Sequence, residues 1–346
     1  MPRTIIHIFK LLLFAVISPL CAGCIETEEF RDTPQGNFDA LCEIVDSRYC
    51  FFEEKDLDWR VISANYRQHV RSDMSQLELF NLCAAMLNCL QDGHVNLSSR
   101  FDTSYYRRWW SDYPQDFNLR TLQQYYLDFD YMSTSGIIFK RLDDGHTGYI
   151  YYPSFGNRVS ETALDYILAY LKDCKALIID IRDNGGGLLL NIDTFVGRFI
   201  EREIQGGFVC HKTGPGHDDF SKPYPITYKA ADPQKHIKYS GPIALLTNRS
   251  SYSAANAFTA VMKSLPQTVV IGARTGGGGG MPMSYEMPNG WLVRLSASPL
   301  YGPGGEYIEG GIEPSKGFEC HSPEEELALG RDAILDRALE YCRSFH

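Results

Sequence analysis

The sequence predicts an α/β domain built on mostly parallel strands and preceded by a helical region. Two patterns carry that expectation. From about residue 140 onward, short apolar runs of strand type alternate with amphipathic helical stretches. Upstream, residues 36–91 show apolar residues at helical spacing. With 346 residues, 44% of them apolar, the chain is long enough to bury a large core.

In chain order, Phe38, Leu41, Ile44 and Val45 recur on one helical face, and Leu77 to Leu90 forms a second strong helical run. Ser98 to Asp130 is polar and aromatic, with Tyr105-Tyr106-Arg107-Arg108-Trp109-Trp110 at its centre. It reads either as a cap or substrate-facing segment or as packing against the helices. Gly148 to Tyr152 reads as a strand, Glu161 to Lys172 as a helix, and Ala176 to Ile181 as a buried strand. A glycine turn (Asn184 to Gly187) and a helix from Asn191 to Ile200 follow. Gly206 to Ser240 reads as an insertion or a long hairpin. Ile243 to Leu246 is a strand, Tyr252 to Leu265 a helix and Thr268 to Ile271 a strand. Gly276 to Gly280 is expected to be a mobile loop, and a last helix is expected from Pro323 to Cys342.

Composition excludes several classes. Charged residues are 22% of the chain, too few for a disordered tail or a coiled coil. Asp and Glu number 43 against 33 Lys and Arg, a net charge of −10, so no nucleic-acid partner is expected. The 21 Tyr, 19 Phe and 4 Trp fit a folded aromatic-rich domain, and they leave a glycan-binding surface open.

Residues 1–23 have the order of a secretory signal: Arg3 and Lys10, then an apolar run too short to span a bilayer. The run ends at Cys21-Ala22-Gly23-Cys24, which resembles a bacterial lipobox with Cys24 as the lipidated residue. Cys21 stands where the motif usually has Leu. The expected location is the bacterial cell envelope, with the chain lipid-anchored through Cys24 on a periplasmic or surface face and residues 24–35 as a linker. The remaining Cys residues show no disulfide framework and no paired metal spacing.

Five motifs could carry chemistry. Asp180 to Gly187 ends a buried strand in a glycine turn that opens a helix, where bare N–H groups can hold an anion. The nucleotide-binding glycine patterns are absent. Asn248 to Phe258 places Ser250, Ser251 and Ser253 at a strand-to-helix junction, where serine is either a nucleophile or a helix cap. Gln91 to Val95 holds His94, with His146 in a similar Asp-Gly-His setting as a rival. Glu309 to Pro314 sets a carboxylate on a glycine-rich turn. Cys210, His211, His217, Asp218 and Asp219 are metal-ligand types without ligand spacing, so neither metal nor cofactor is expected.

Taken in order, these motifs resemble the tricorn-like and C-terminal-processing serine peptidase family. That family has D-x-R-x-N-G-G-G at a strand end, S-x-S-A at the nucleophile, then T-G-G-G-G, P-N-G and E-G-x-G-I-x-P. Here these are Asp180 to Gly187, Ser251 to Ala254, Thr275 to Gly280, Pro288 to Gly290 and Glu309 to Pro314. The resemblance implies a crotonase/ClpP-like β-β-α core over residues 140–346, a helical cap over 36–95, a connecting aromatic segment over 96–139, and no PDZ domain.

It also implies serine peptidase chemistry on a peptide or protein substrate, with Ser253 as nucleophile, His94 as base and Glu309 as the supporting carboxylate. Gly185 or Gly186 together with Ala254 would form the oxyanion hole. The lysine of processing-type members would fall at Gly278, so a Ser-Lys dyad is not expected. Gly93 replaces the serine that tricorn has before its histidine, and Asn256 replaces a common glutamate. A non-catalytic lipoprotein binding hydrophobic ligands or peptides on the same scaffold is the alternative. The sequence sets no oligomeric state.

Overall fold

The computed structural model describes residues 30–345. The signal segment and Cys24 lie outside the described residues. Three helices open the described residues: α1 (Pro34–Arg48), α2 (Trp59–Arg67) and α3 (Gln76–Asn88). Each starts on a side-chain cap: Thr33, Asp58 and Ser75, the last in a capping box with Glu78. The middle helix goes beyond the two runs the spacing predicts. Its Trp59 is buried and donates to the Cys42 carbonyl at 3.0 Å.

The α/β expectation holds for the chain's centre. A six-stranded sheet runs β2 (Met132–Thr134), β3 (Ile137–Leu142), β4 (Thr147–Tyr151), β5 (Ala176–Asp180), β8 (Ile243–Thr247), β9 (Thr268–Gly272). The β4–β5, β5–β8 and β8–β9 pairings are parallel; the first two are antiparallel. Strands β4, β5 and β8 are buried at every residue, because helices cover both faces of the sheet. α6 (Glu161–Leu171), α7 (Leu190–Val196) and α8 (Ala254–Lys263) pack on one side, and α10 (Ala333–Arg343) on the other. Between α3 and β2 lie two short helical turns, α4 (Arg108–Ser111) and α5 (Leu119–Thr121), the second running on as a π-helical turn over Leu122–Tyr126.

The second sheet is antiparallel. β6 (Ile204–Val209) and β7 (Tyr224–Tyr228) form the hairpin expected in 206–240. β11 (Leu292–Tyr301) pairs with β10 (Gly280–Glu286), β1 (Asn96–Ser98) and β6. Val293, Leu295 and Ala297 of β11 share one apolar cluster with Phe38, Leu41, Phe80 and Met86 of the opening helices. The helical region therefore buries its apolar face both within itself and on this sheet.

Two expectations are corrected. Gly276 to Gly280 is buried and hydrogen-bonded, with the Gly277 carbonyl accepting the Ser253 N–H at 2.8 Å, so it is a packed segment and not a mobile loop. The last helix is broken into α9 (Glu324–Ala328) and α10, with Gly330 at φ +86° between them and Asp332 capping the second piece.

Candidate active site

Parallel β5 and β8 are neighbours, so the turns after their C-terminal ends lie side by side, where α/β sheets bind ligands. The Tyr252 N–H donates to the Asn184 carbonyl at 3.0 Å, tying the two turns together. The Asp180-x-Arg182 part of the first turn is anchoring. Arg182 is fully buried and grips Asp180 through three bonds of 2.6 to 3.1 Å. It also donates to Asp332 Oδ1 at 2.8 Å.

The three serines of the second turn divide. Ser251 is buried and donates to the Ile181 carbonyl at 2.8 Å, a structural role. Ser253 takes the helix-cap position but makes no cap hydrogen bond. Its backbone sits at φ 58°, ψ −117°, a region that costs on the order of 1–3 kcal/mol outside glycine. That backbone aims Oγ out of the helix, 3.0 Å from Nε2 of His94. The His94 ring is supplied by the turn between α3 and β1.

His94 is 4% exposed. Burial pushes its pKa down to about 4, and Arg294 and Lys55 push the same way against Asp92 and the Gly280 backbone. The ring is therefore neutral at pH 7, and Nε2 can accept a proton while Nδ1 carries one. Nδ1 meets no side-chain acceptor among the described residues, and the Gly280 backbone is the group that faces the ring there. Asp92 holds the turn and not the ring. One of its oxygens accepts the His94 N–H at 2.8 Å, and the other accepts the hydroxyls of Ser296 at 2.8 Å and Tyr49 at 3.2 Å.

Glu309 makes no hydrogen bond to His94. Its Oε1 pairs with Lys55 Nζ at 2.8 Å and its Oε2 accepts the Gly279 N–H at 2.7 Å. Burial and the charge of Asp92 push its pKa up to about 7, against the pull of Lys55 and the Gly279 N–H.

Gly186 lies against Ser253, where an added Cβ would come 2.7 Å from the serine Cβ. Its N–H donates to Asn184 Oδ1 at 3.0 Å. The N–H groups of Gly185 and Ala254 meet no protein acceptor among the described residues. Of the sequence-derived oxyanion candidates, these two are free to donate.

A cleft of about 610 Å³ runs over Ser253 and His94. The aromatic segment forms one wall through Tyr105, Tyr106, Trp109 and Trp110. Trp109 stacks on Tyr252 with ring centroids 4.0 Å apart. That pair accounts for two departures from the family pattern. A Cβ on Gly93 would come 2.5 Å from the Trp109 indole nitrogen, and one on Gly278 would come 2.5 Å from the Tyr252 ring. Asn256, the third departure, is a buried strut accepting from Thr275 at 2.6 Å and donating to the Ile308 carbonyl at 2.8 Å, next to Glu309.

The rival His146 lies elsewhere, with Nε2 3.3 Å from the Cys342 carbonyl. In the 210–219 loop, His217 pairs with Asp46 at 2.9 Å and His211 lies 3.2 Å from Ser298, so these imidazoles do not converge. Lys55 was not legible as a site residue, since nothing in Glu53-Glu54-Lys55-Asp56 marks it off from a solvated charge run.

The model of peptidase family S41 matches residues 146–316, and that of the tricorn protease C1 domain matches residues 30–88. The crystal structure of a proposed peptidase from Parabacteroides merdae is 43% identical in sequence. It covers 90% of this chain and 97% of that one, with a TM-score of 0.85. The chain belongs to peptidase family S41.

A Staphylococcus aureus protein assigned as a CtpA-like serine protease is 30% identical over 172 residues, 49% of this chain. That match spans 33% of the S. aureus protein, so the chain corresponds to about a third of such curated relatives. Mature CPAF complexed with lactacystin shares the fold at a TM-score of 0.66 and 13% identity, with 90% of this chain and 97% of that one covered. In this S41 member, Gly185, Ser253 and Glu309 fall inside the family match, whereas His94 lies between the two matched regions.

Proposed function

We propose that this S41 member is a serine endopeptidase acting through an acyl-enzyme, with Ser253, His94 and Glu309 as its working residues. The observation that carries it is the 3.0 Å approach of Ser253 Oγ to the Nε2 of a buried, neutral His94, made from a backbone conformation with no capping use. His94 takes the hydroxyl proton as Oγ attacks the peptide carbonyl. The N–H groups of Ala254 and Gly185, at a helix N-terminus and a glycine turn, hold the oxyanion. The imidazolium then protonates the leaving amine, and water deacylates Ser253 by the same route in reverse. With Gly278 in the place of the family lysine, the base is the histidine. The β-strand and helix alternation around β4, β5 and β8 supports a crotonase/ClpP-like reading of the core.

The anchor belongs to the same proposal: lipidation at Cys24 would hold the enzyme at the bacterial envelope, acting on peptide or protein substrates there. No helix among the described residues is long and apolar enough to cross a membrane.

The test is labelling of residues 25–346 with a fluorophosphonate probe. Wild type is expected to label. Ser253→Ala should lose labelling, and His94→Ala should lower its rate on the order of 10⁴-fold or more, with His146→Ala unchanged. Absence of labelling in folded wild type overturns the peptidase reading in favour of a binding protein.

A further inference from the structure

Lys55 lies between α1 and α2, yet its ammonium reaches the heart of the site. Nζ is 2.8 Å from Glu309 Oε1 and 3.9 Å from Asp92 Oδ2. It also donates to the carbonyls of Leu90 at 3.4 Å and Gln91 at 3.3 Å, immediately upstream of the His94 turn. The side chains of Lys55, Glu309 and Asp92 are 18, 8 and 0% exposed. Each carboxylate does separate work. Asp92 fixes the His94 backbone, and Glu309 fixes the glycine segment whose Gly277 carbonyl receives the Ser253 N–H. Two carboxylates so buried and so close cannot both stay ionised without a cation between them.

Among the described residues, Lys55 is the one basic side chain paired with either acid. Arg249 faces the cluster from the nucleophile turn but spends its donors on the Trp109 and Thr275 carbonyls. Arg294 faces it from β11 and donates, at 3.4 Å, to the His94 carbonyl and Asn96. The other titratable groups around Glu309 and Asp92 are Tyr49, Cys50 and Tyr252, all held neutral by burial. Glu54 stands beside Lys55, its pKa pushed up to about 7 by burial. A cavity of about 290 Å³, lined by Glu54, Lys55, Arg249 and Glu309 together with Trp109 and Tyr252, lies against the cluster.

We propose that Lys55 is a positioning residue of this catalytic centre, bridging Asp92 and Glu309 and lowering the cost of their joint ionisation, thereby fixing the His94 turn and the glycine segment against Ser253. The proposal rests on the peptidase reading above. Lys55 touches neither Ser253 nor the cleft, so it acts through its two partners.

The experiment compares wild type, Lys55→Met and Lys55→Arg, each checked for folding by near-ultraviolet circular dichroism. It follows the fluorophosphonate labelling rate and the unfolding free energy from pH 5 to 9. Losing the ammonium lets Glu309 hold its proton to higher pH and removes a charge that keeps His94 neutral. Both changes displace the acid limb of the labelling profile upward, by about one pH unit or more. Lys55→Arg should restore the limb. In a Glu309→Gln background, Lys55→Met should move the limb less than it does in wild type.

A rate lowered equally at all pH values, with the limb unmoved, would reduce Lys55 to a packing residue and overturn the proposal. The unfolding measurement reads the charge cluster without activity. Lys55→Met should regain stability, relative to wild type, as pH falls and its unpaired carboxyl takes up a proton. Parallel stability curves overturn the proposal. Unlabelled wild type overturns the peptidase reading instead, leaving the stability curves to decide the cluster.

Discussion

Among the described residues, two clusters of one cation and two carboxylates are largely buried at all three members, and they behave differently. In the Arg182 cluster the guanidinium is fully buried, meets Asp180 through three bonds and Asp332 through one, and donates to the Asp116 carbonyl at 3.2 Å. Burial alone would raise the Asp332 pKa, but Arg182 and Ser322 hold it below its ordinary value. In the Lys55 cluster a point charge meets one acid at 2.8 Å and the other at 3.9 Å, and Glu309 is pushed up to about 7. A planar fork satisfies two carboxylates at once, whereas an ammonium leaves one underpaired. The first cluster rivets the strand-end turn to α10, and the second leaves a carboxyl that can take up a proton near neutrality.

The sharpest way to break this comparison is to remove each cation. Arg182→Met should cost about 3–5 kcal/mol in urea unfolding, because it leaves two buried carboxylates without their cation. Lys55→Met should cost only about 1–2 kcal/mol, since Glu309 can neutralise itself. Equal losses would show that the two clusters do the same job.

His94 sharpens it next. Its folded pKa, about 4, lies below the ordinary 6.5, so the native state binds fewer protons than the unfolded chain between those values. Its contribution to stability is therefore complete above pH 6.5 and is lost as pH falls toward 4. Glu309 has the opposite sign: its raised pKa adds stability as pH falls from about 7 toward 4.5. His94→Gln should flatten the acid-side loss and leave the Glu309 gain visible in thermal unfolding across pH 4–7.

The remaining effects concern the aromatic wall. Gly278→Lys would restore the family lysine, but at φ +78° and against Tyr252 it should destabilise by roughly 1–3 kcal/mol and leave labelling dependent on His94. Gly93→Ser should push Trp109 off Tyr252, losing about 0.5–1.5 kcal/mol of stacking and changing tryptophan fluorescence.

Much of the frame was legible. Ala176 to Asp180 and Ile243 to Thr247 are continuous apolar runs because they are buried on both faces, and each ends in a turn rich in Gly or Ser. β10 and β11 went unread, because glycines, prolines and a serine-rich stretch obscure their alternation and their partners lie far away in the chain. The buried glycine segment was misread as mobile, since five glycines look alike whether solvent or Tyr252 and Glu309 surround them.

The sequence by itself determined the strand-to-helix junctions and the residue types set on them, because hydrophobic period, turn chemistry and motif order are local properties of the chain. Only the tertiary structure decided which serine is aimed and which histidine meets it. Ser251 and Ser253 differ in the partners that packing brings to each hydroxyl, Ile181 for one and His94 for the other. His94 and His146 share a local motif and are parted by the elements they join. Lys55 gains its place in the same way. A charge in a surface-like run becomes a buried node only when distant turns close around it, and no local pattern records that closure.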